Sequence, residues 1–199
     1  LPLEHARGPS DGFVLGLDER LRPQWFWSTR GSALDQVRNL TVSSDGDILM
    51  TGIFVDQLPP DSSSDAEPLR SRGRSDIFVA KLNARGEQQW IRAFGGSSSD
   101  YGMNLVNGPE GESLVIGRFS GVLEFDSSMI GQTRRSRGSS DVILLALDPT
   151  GTLLWSHSFG GEGRDRGIAL DWSASHGITL IGTFGDSSAE RARALPSSL

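Results

Sequence analysis

The chain has 199 residues, a net charge of -6, 36% hydrophobic residues, 25 glycines and no cysteine. It can build neither a disulfide scaffold nor a thiolate metal site, and its mean field repels polyanions, so nucleic acid is not an expected partner. No stretch reaches the about 18 apolar residues needed to cross a bilayer, so no membrane-spanning segment is expected.

From the N-terminus, short apolar runs with a period near two alternate with turn signals, which predicts strands throughout and no helices. The first four strands are expected at Phe13 to Leu17, Gln24 to Thr29, Gln36 to Val42 and Ile48 to Phe54. A long polar connection, Leu58 to Gly73, follows. The next four strands are Ile77 to Leu82, a hairpin partner Gln88 to Phe94 across Asn83-Ala84-Arg85-Gly86, then Tyr101 to Val106 and Ser113 to Phe119. After a second polar connection, Asp126 to Ser140, come Val142 to Leu147, Thr152 to Phe159, Arg166 to Leu170 and Ile178 to Phe184.

These elements repeat with a period of 65 residues. Trp25, Trp90 and Trp155 share one position of the repeat, and Asp35, Asp100 and Asp165 another. Gly52, Gly117 and Gly182 close the series, each followed two residues later by a phenylalanine. A unit that cannot bury its own apolar face must stack on its neighbours. Four antiparallel strands per unit fit the blades of a β-propeller, an all-β fold in which radial stacking covers both faces of each small sheet. The three tryptophans then read as wedges between blades.

The run Ser75-Asp76-Ile77-Phe78-Val79-Ala80-Lys81-Leu82-Asn83, with Gly86, Trp90, Phe94-Gly95-Gly96, Asp100, Gly102, Gly117 and Phe119, resembles the bacterial SBBP repeat. That resemblance implies a β-propeller repeat of the kind found in large secreted or envelope-associated proteins. It implies that the strand after each of Asp35, Asp100 and Asp165 is the innermost of its blade. The chain then divides into the outer two strands of a blade over 11–30, complete blades over 35–95 and 100–160, the inner two strands of a blade over 165–184, and a polar tail over 185–199. The first copy departs from the pattern, with Val37 where the others have Gly102 and Gly167, and Thr29-Arg30 in place of Phe94-Gly95 and Phe159-Gly160.

Three blades are too few to close a ring, since propellers typically need about four to eight. Two copies, each lending outer strands to the other's inner pair, would make a six-bladed homodimer; the alternative is further blades of a longer parent chain. An extracellular or cell-envelope location follows from the resemblance alone, and a cytoplasmic one remains open.

Candidate chemistry is sparse. Asp35, Asp100 and Asp165 follow Gly- or Ser-rich turns, where a carboxylate accepts hydrogen bonds from its own loop; their rival reading as calcium ligands scatters one donor per blade. Asp45-Gly46-Asp47 reads as a hairpin turn. His5, His157 and His176 occupy unrelated positions of the repeat, so no zinc site is expected. Arg134, Arg135 and Arg137 read as a solvated loop. Trp27, Arg92 and His157 share one position two residues after each repeating tryptophan, and this variation marks them as possible binding residues. No nucleophile elbow, phosphate loop or dinucleotide fingerprint is present, and no cofactor is expected. The leading expectation is a non-catalytic scaffold or binding module presenting loops to a protein or glycan. The alternatives are a propeller-based polysaccharide hydrolase or lyase, in which Asp100 or Asp165 would be needed for turnover, and a structural unit of a cell-surface assembly.

Overall fold

The computed structural model describes residues 6–60, 67–125 and 133–185. His5, residues 61–66 and 126–132 of the two polar connections, and residues 186–199 of the tail lie outside them. The described chain is all-β, with no helix.

In chain order the strands are β1 Phe13–Leu17, β2 Pro23–Ser28, β3 Gln36–Val42, β4 Ile48–Phe54, β5 Gln57–Leu58, β6 Leu69–Arg70, β7 Asp76–Leu82 and β8 Gln88–Gly96. There follow β9 Tyr101–Asn107, β10 Ser113–Phe119, β11 Val122–Glu124, β12 Thr133–Arg135, β13 Asp141–Leu147, β14 Leu153–Phe159, β15 Arg166–Ser173 and β16 Gly177–Thr183. The order β9-β10-β13-β14 makes one four-stranded sheet. The order β3-β4-β7-β8 makes another, extended to six strands by β11 and β12. The pairs β1-β2 and β15-β16 form two-stranded sheets at the two ends of the array.

Three apolar clusters lie between successive sheets. Alternate residues of a strand point to opposite faces, so β7 sends Phe78, Ala80 and Leu82 toward β1-β2 while Ile77 and Val79 face the following sheet. In the same way β13 places Ile143, Leu145 and Leu147 in the middle cluster, and Val142, Leu144 and Ala146 against Leu170 of β15. Burial on both faces is why the central strands read as continuous apolar runs such as DVILLAL rather than as an alternation.

Two local devices recur with the repeat. Each of β3, β9 and β15 carries a one-residue bulge, at Arg38, Met103 and Ile168. There the carbonyls of Gln36, Tyr101 and Arg166 crowd the neighbouring strand, and a side chain at Gly52, Gly117 or Gly182 would collide with them. A second bulge falls at Gln24, Gln89 and Leu154, one residue before each repeating tryptophan.

The described parts of the polar connections and their flanks form short strands. Strands β5 and β6 pair as a hairpin, as do β11 and β12. Each hairpin drops one leucine into an inter-sheet cluster, Leu58 at 1% exposure and Leu123 at 0%. Strand β11 also pairs with Gly95 and Gly96 at the end of β8. In the first copy β2 stops at Ser28, because Arg30 stands where Gly95 is expected and adopts a left-handed φ of 52°.

Candidate functional site

The repeating aspartates sit where the chain enters β3, β9 and β15, all three essentially buried. Asp100 accepts hydrogen bonds from the Gly96 N–H at 2.9 Å and the Ser120 N–H at 3.0 Å. Asp165 repeats this with Gly161 at 2.6 Å and Gly185 at 2.9 Å. Asp35 accepts from the Val55 N–H at 3.2 Å, and its second oxygen is buried without a partner. Asp100 and Asp165 thus clip the turn before their strand to the end of the adjacent strand, and Asp35 keeps the second of these bonds.

A second aspartate series opens β7 and β13 and precedes β1 by two residues. In Arg-Gly-x-Ser-Asp turns, Asp11, Asp76 and Asp141 accept from the N–H of Arg7, Arg72 and Arg137, four residues earlier. The two series adjoin through the parallel bridges Ser10 to Leu34, Ser75 to Ser99 and Ser140 to Arg164. Burial pushes Asp100 up to about 7 and Asp35 up to about 6 against their hydrogen bonds, and the adjoining Asp76 and Asp11 push the same way. Burial likewise raises Asp76 and Asp141. Among the described residues, no three metal-ligating side chains converge.

The tryptophans bridge sheets. Trp25 lies on Gly86 and Trp90 on Gly151, in the hairpin turn of the following sheet, where any side chain at the glycine would collide with the indole. The Trp90 indole N–H donates to the Pro149 carbonyl at 3.0 Å. Trp155, whose following sheet is the two-stranded β15-β16 without an equivalent hairpin turn among the described residues, is partly buried against the last apolar cluster.

Trp27, Arg92 and His157 do not come together. Trp27 is 8% exposed and its indole donates to Gln88 at 3.2 Å. Arg92 lies 5.8 Å from the Trp90 ring and donates to the Thr150 carbonyl of the next sheet at 3.0 Å. The His157 ring sits between Trp155 and Phe159 on β14, at 5.4 and 6.4 Å. All three positions thus serve packing along or between strands.

Arg134, expected in a solvated loop, belongs to β12 and donates to the Ser156 carbonyl at 2.7 Å.

Sequence reasoning missed two further groups. The Asn39 and Asn104 side chains each accept from a backbone N–H of a strand in the next sheet, Leu105 of β9 at 3.2 Å and Leu170 of β15 at 3.0 Å. The period placed them at one repeat position, yet only the stacking of neighbouring sheets shows their use; Ala169 stands at that position in the third copy. The second group surrounds Tyr101 at the start of β9. The Arg118 guanidinium lies 4.0 Å and that of Arg38 5.7 Å from the ring centre. Burial pushes Arg118 below its ordinary value, and the nearby Arg164 and Arg166 charges add to this against the opposing effect of Tyr101.

No family model matches this chain. Over 157 residues, 79% of its length, it is 24% identical to a protein of Caulobacter vibrioides described as "Regulatory protein FlaEY". The match spans 16% of that relative's own length, so the likeness concerns one part of a much longer protein.

Proposed function

We propose that the chain is a non-catalytic β-propeller scaffold or binding module of the SBBP-like kind. In this reading a second copy completes its two unfinished units and closes a six-bladed ring, whose loops face a protein or glycan. The observation that carries this is the contrast between strands at equivalent repeat positions. Ile181 of β16 is 59% exposed, whereas Thr51 of β4 and Ile116 of β10 are both at 0%. Phe13 of β1 is 58% exposed, whereas Phe78 of β7 is at 0% and Ile143 of β13 at 1%. Open apolar edges of this kind favour strand pairing with another chain. The pair β15-β16 lacks what β1-β2 is.

The registers of β4 with β7 and of β10 with β13 supply the template. Carried over by the repeat, they set Val14 of one copy opposite Ile181 of the other, Leu15 opposite Leu180 and Phe13 opposite Gly182. This closing junction lacks two devices found inside the chain. Leu21, with a φ of 60°, replaces the turn glycine on which a tryptophan lies, and Ala169 replaces the bridging asparagine. Strand pairing and apolar burial therefore supply most of its strength.

Light scattering at micromolar concentration tests the reading. The expected mass is twice the 21.4 kDa of one chain. A monodisperse monomer contradicts closure by a second copy.

A further inference from the structure

Positive charge gathers around Tyr101 at the start of β9, and among the described residues no carboxylate forms an ion pair with it. Arg118 faces Tyr101 across the β9–β10 ladder. Arg38, at the bulge in β3, has its guanidinium 5.7 Å from the ring centre and 3.6 Å from the Met103 sulfur, and donates to the Gln36 side-chain carbonyl at 3.0 Å. Strand β15 packs against both β9 and β10. There Gly167 fits against Ile116 and Gly117, which brings its neighbour Arg166 beside Arg118. Arg166 takes the repeat position that Tyr101 holds in β9 and Gln36 holds in β3.

The ion pairs Arg22–Asp18 and Lys81–Asp47 lie elsewhere, and none of Arg38, Arg118, Arg164 and Arg166 forms one with a described residue. Asp100 is near enough to feel the Arg118 charge, but its oxygens are committed to the Gly96 and Ser120 N–H groups. The hydroxyls of Ser75, a residue 5% exposed, and of Ser99 lie close enough to the Tyr101 phenol to favour its ionised form. The Arg118 and Arg38 guanidiniums flank the Tyr101 ring, and Arg164 and Arg166 are near enough for their charges to act on Arg118, so the group repels itself unless an anion joins it. Guanidinium forks with adjacent hydroxyls match the oxygens of carboxylate, sulfate or phosphate.

We propose that Arg118, Arg166, Arg164 and Arg38, grouped around Tyr101 and the Ser75 hydroxyl, form a binding site for an oxyanion. The oxyanion is either a free inorganic ion or the acidic group of a uronate-containing glycan. This specifies a ligand chemistry for the binding-module reading, but every group belongs to one chain, so the site does not depend on ring closure.

Calorimetric titration with sodium phosphate, sodium sulfate and a galacturonate oligomer tests it, with the neutral galactose oligomer as control. Each probe is repeated on the Arg118→Gln variant and on the double variant Arg164→Gln/Arg166→Gln, whose exposed side chains leave folding intact. Arg85→Gln, in an exposed turn, serves as the control substitution. Saturable binding of an inorganic ion that weakens about tenfold or more in both arginine variants, and is unchanged in Arg85→Gln, supports the site with a free-ion source. The same pattern confined to the galacturonate oligomer supports it with a glycan source. Absence of saturable binding by all three anions overturns the proposal, as does equal binding by the neutral oligomer or unchanged binding in the double variant. The solution mass, read separately, tests only ring closure.

Discussion

Asp100→Ala is expected to lower the unfolding free energy by about 3 kcal/mol, because it leaves the Gly96 and Ser120 N–H groups unsatisfied at a buried turn. The same carboxyl makes stability depend on pH. Its folded-state value of about 7 lies above the ordinary 3.8, so between those values the folded protein holds a proton that the unfolded chain has released. The stabilisation is full below the ordinary value and is lost as pH rises through about 7. Asp35, raised to about 6, contributes with the same sign, as do Asp76 and Asp141. Urea unfolding is therefore expected to show a lower midpoint at pH 8 than at pH 5, with the unfolding free energy lower by about a few kcal/mol. Asp100→Asn stays neutral across this range, so it should be weaker at pH 5 but less sensitive to pH. A midpoint equal or higher at pH 8, or an unchanged slope in Asp100→Asn, contradicts this role.

Ile181→Lys is expected to abolish association while leaving the isolated chain folded. Ile181 is 59% exposed in one chain, so a lysine there remains hydrated and changes monomer stability little. In the closed ring it would take the place held by Thr51 and Ile116, both at 0% exposure, and burying an unpaired ammonium there would cost several kcal/mol. Light scattering of the variant should return a single-chain mass, with an unchanged far-ultraviolet spectrum. A variant that still sediments as a dimer would remove β16 from the contact.

The strands were legible in the sequence because the repeat let three copies correct one another. The segments Gln36 to Val42, Ile48 to Phe54 and Ser113 to Phe119 were placed with the bounds the structure has. The third copy shows the limits of that agreement: β15 runs on to Ser173 and β16 begins at Gly177. The short hairpins of the polar connections were not legible, since a two-residue strand such as Gln57–Leu58 shows no period and only its leucine is apolar. The structural use of the repeating aspartates could be anticipated from their place after Gly- and Ser-rich turns. Their second partners, about 20 residues further on, could not. The arginine group around Tyr101 was invisible for a different reason. Arg38, Arg118 and Arg166 occupy three different repeat positions, and only the bulges and the stacking of β15 on β10 bring them to one place.

The central claim is that the open edge of β16 pairs with the open edge of β1 in a second copy, in the register repeated within the chain. Cysteine cross-linking tests this directly, in a protein with no cysteine of its own. In the double variant Leu15→Cys/Leu180→Cys the two thiols would fall opposite each other across the junction, with α-carbons about 5 Å apart, within disulfide reach. Shifting one residue, as in Leu15→Cys/Ile181→Cys, puts them on opposite faces. Mild oxidation is predicted to yield a covalent dimer from the first variant and little from the second. Equal cross-linking of both variants, or none in either, would contradict the account.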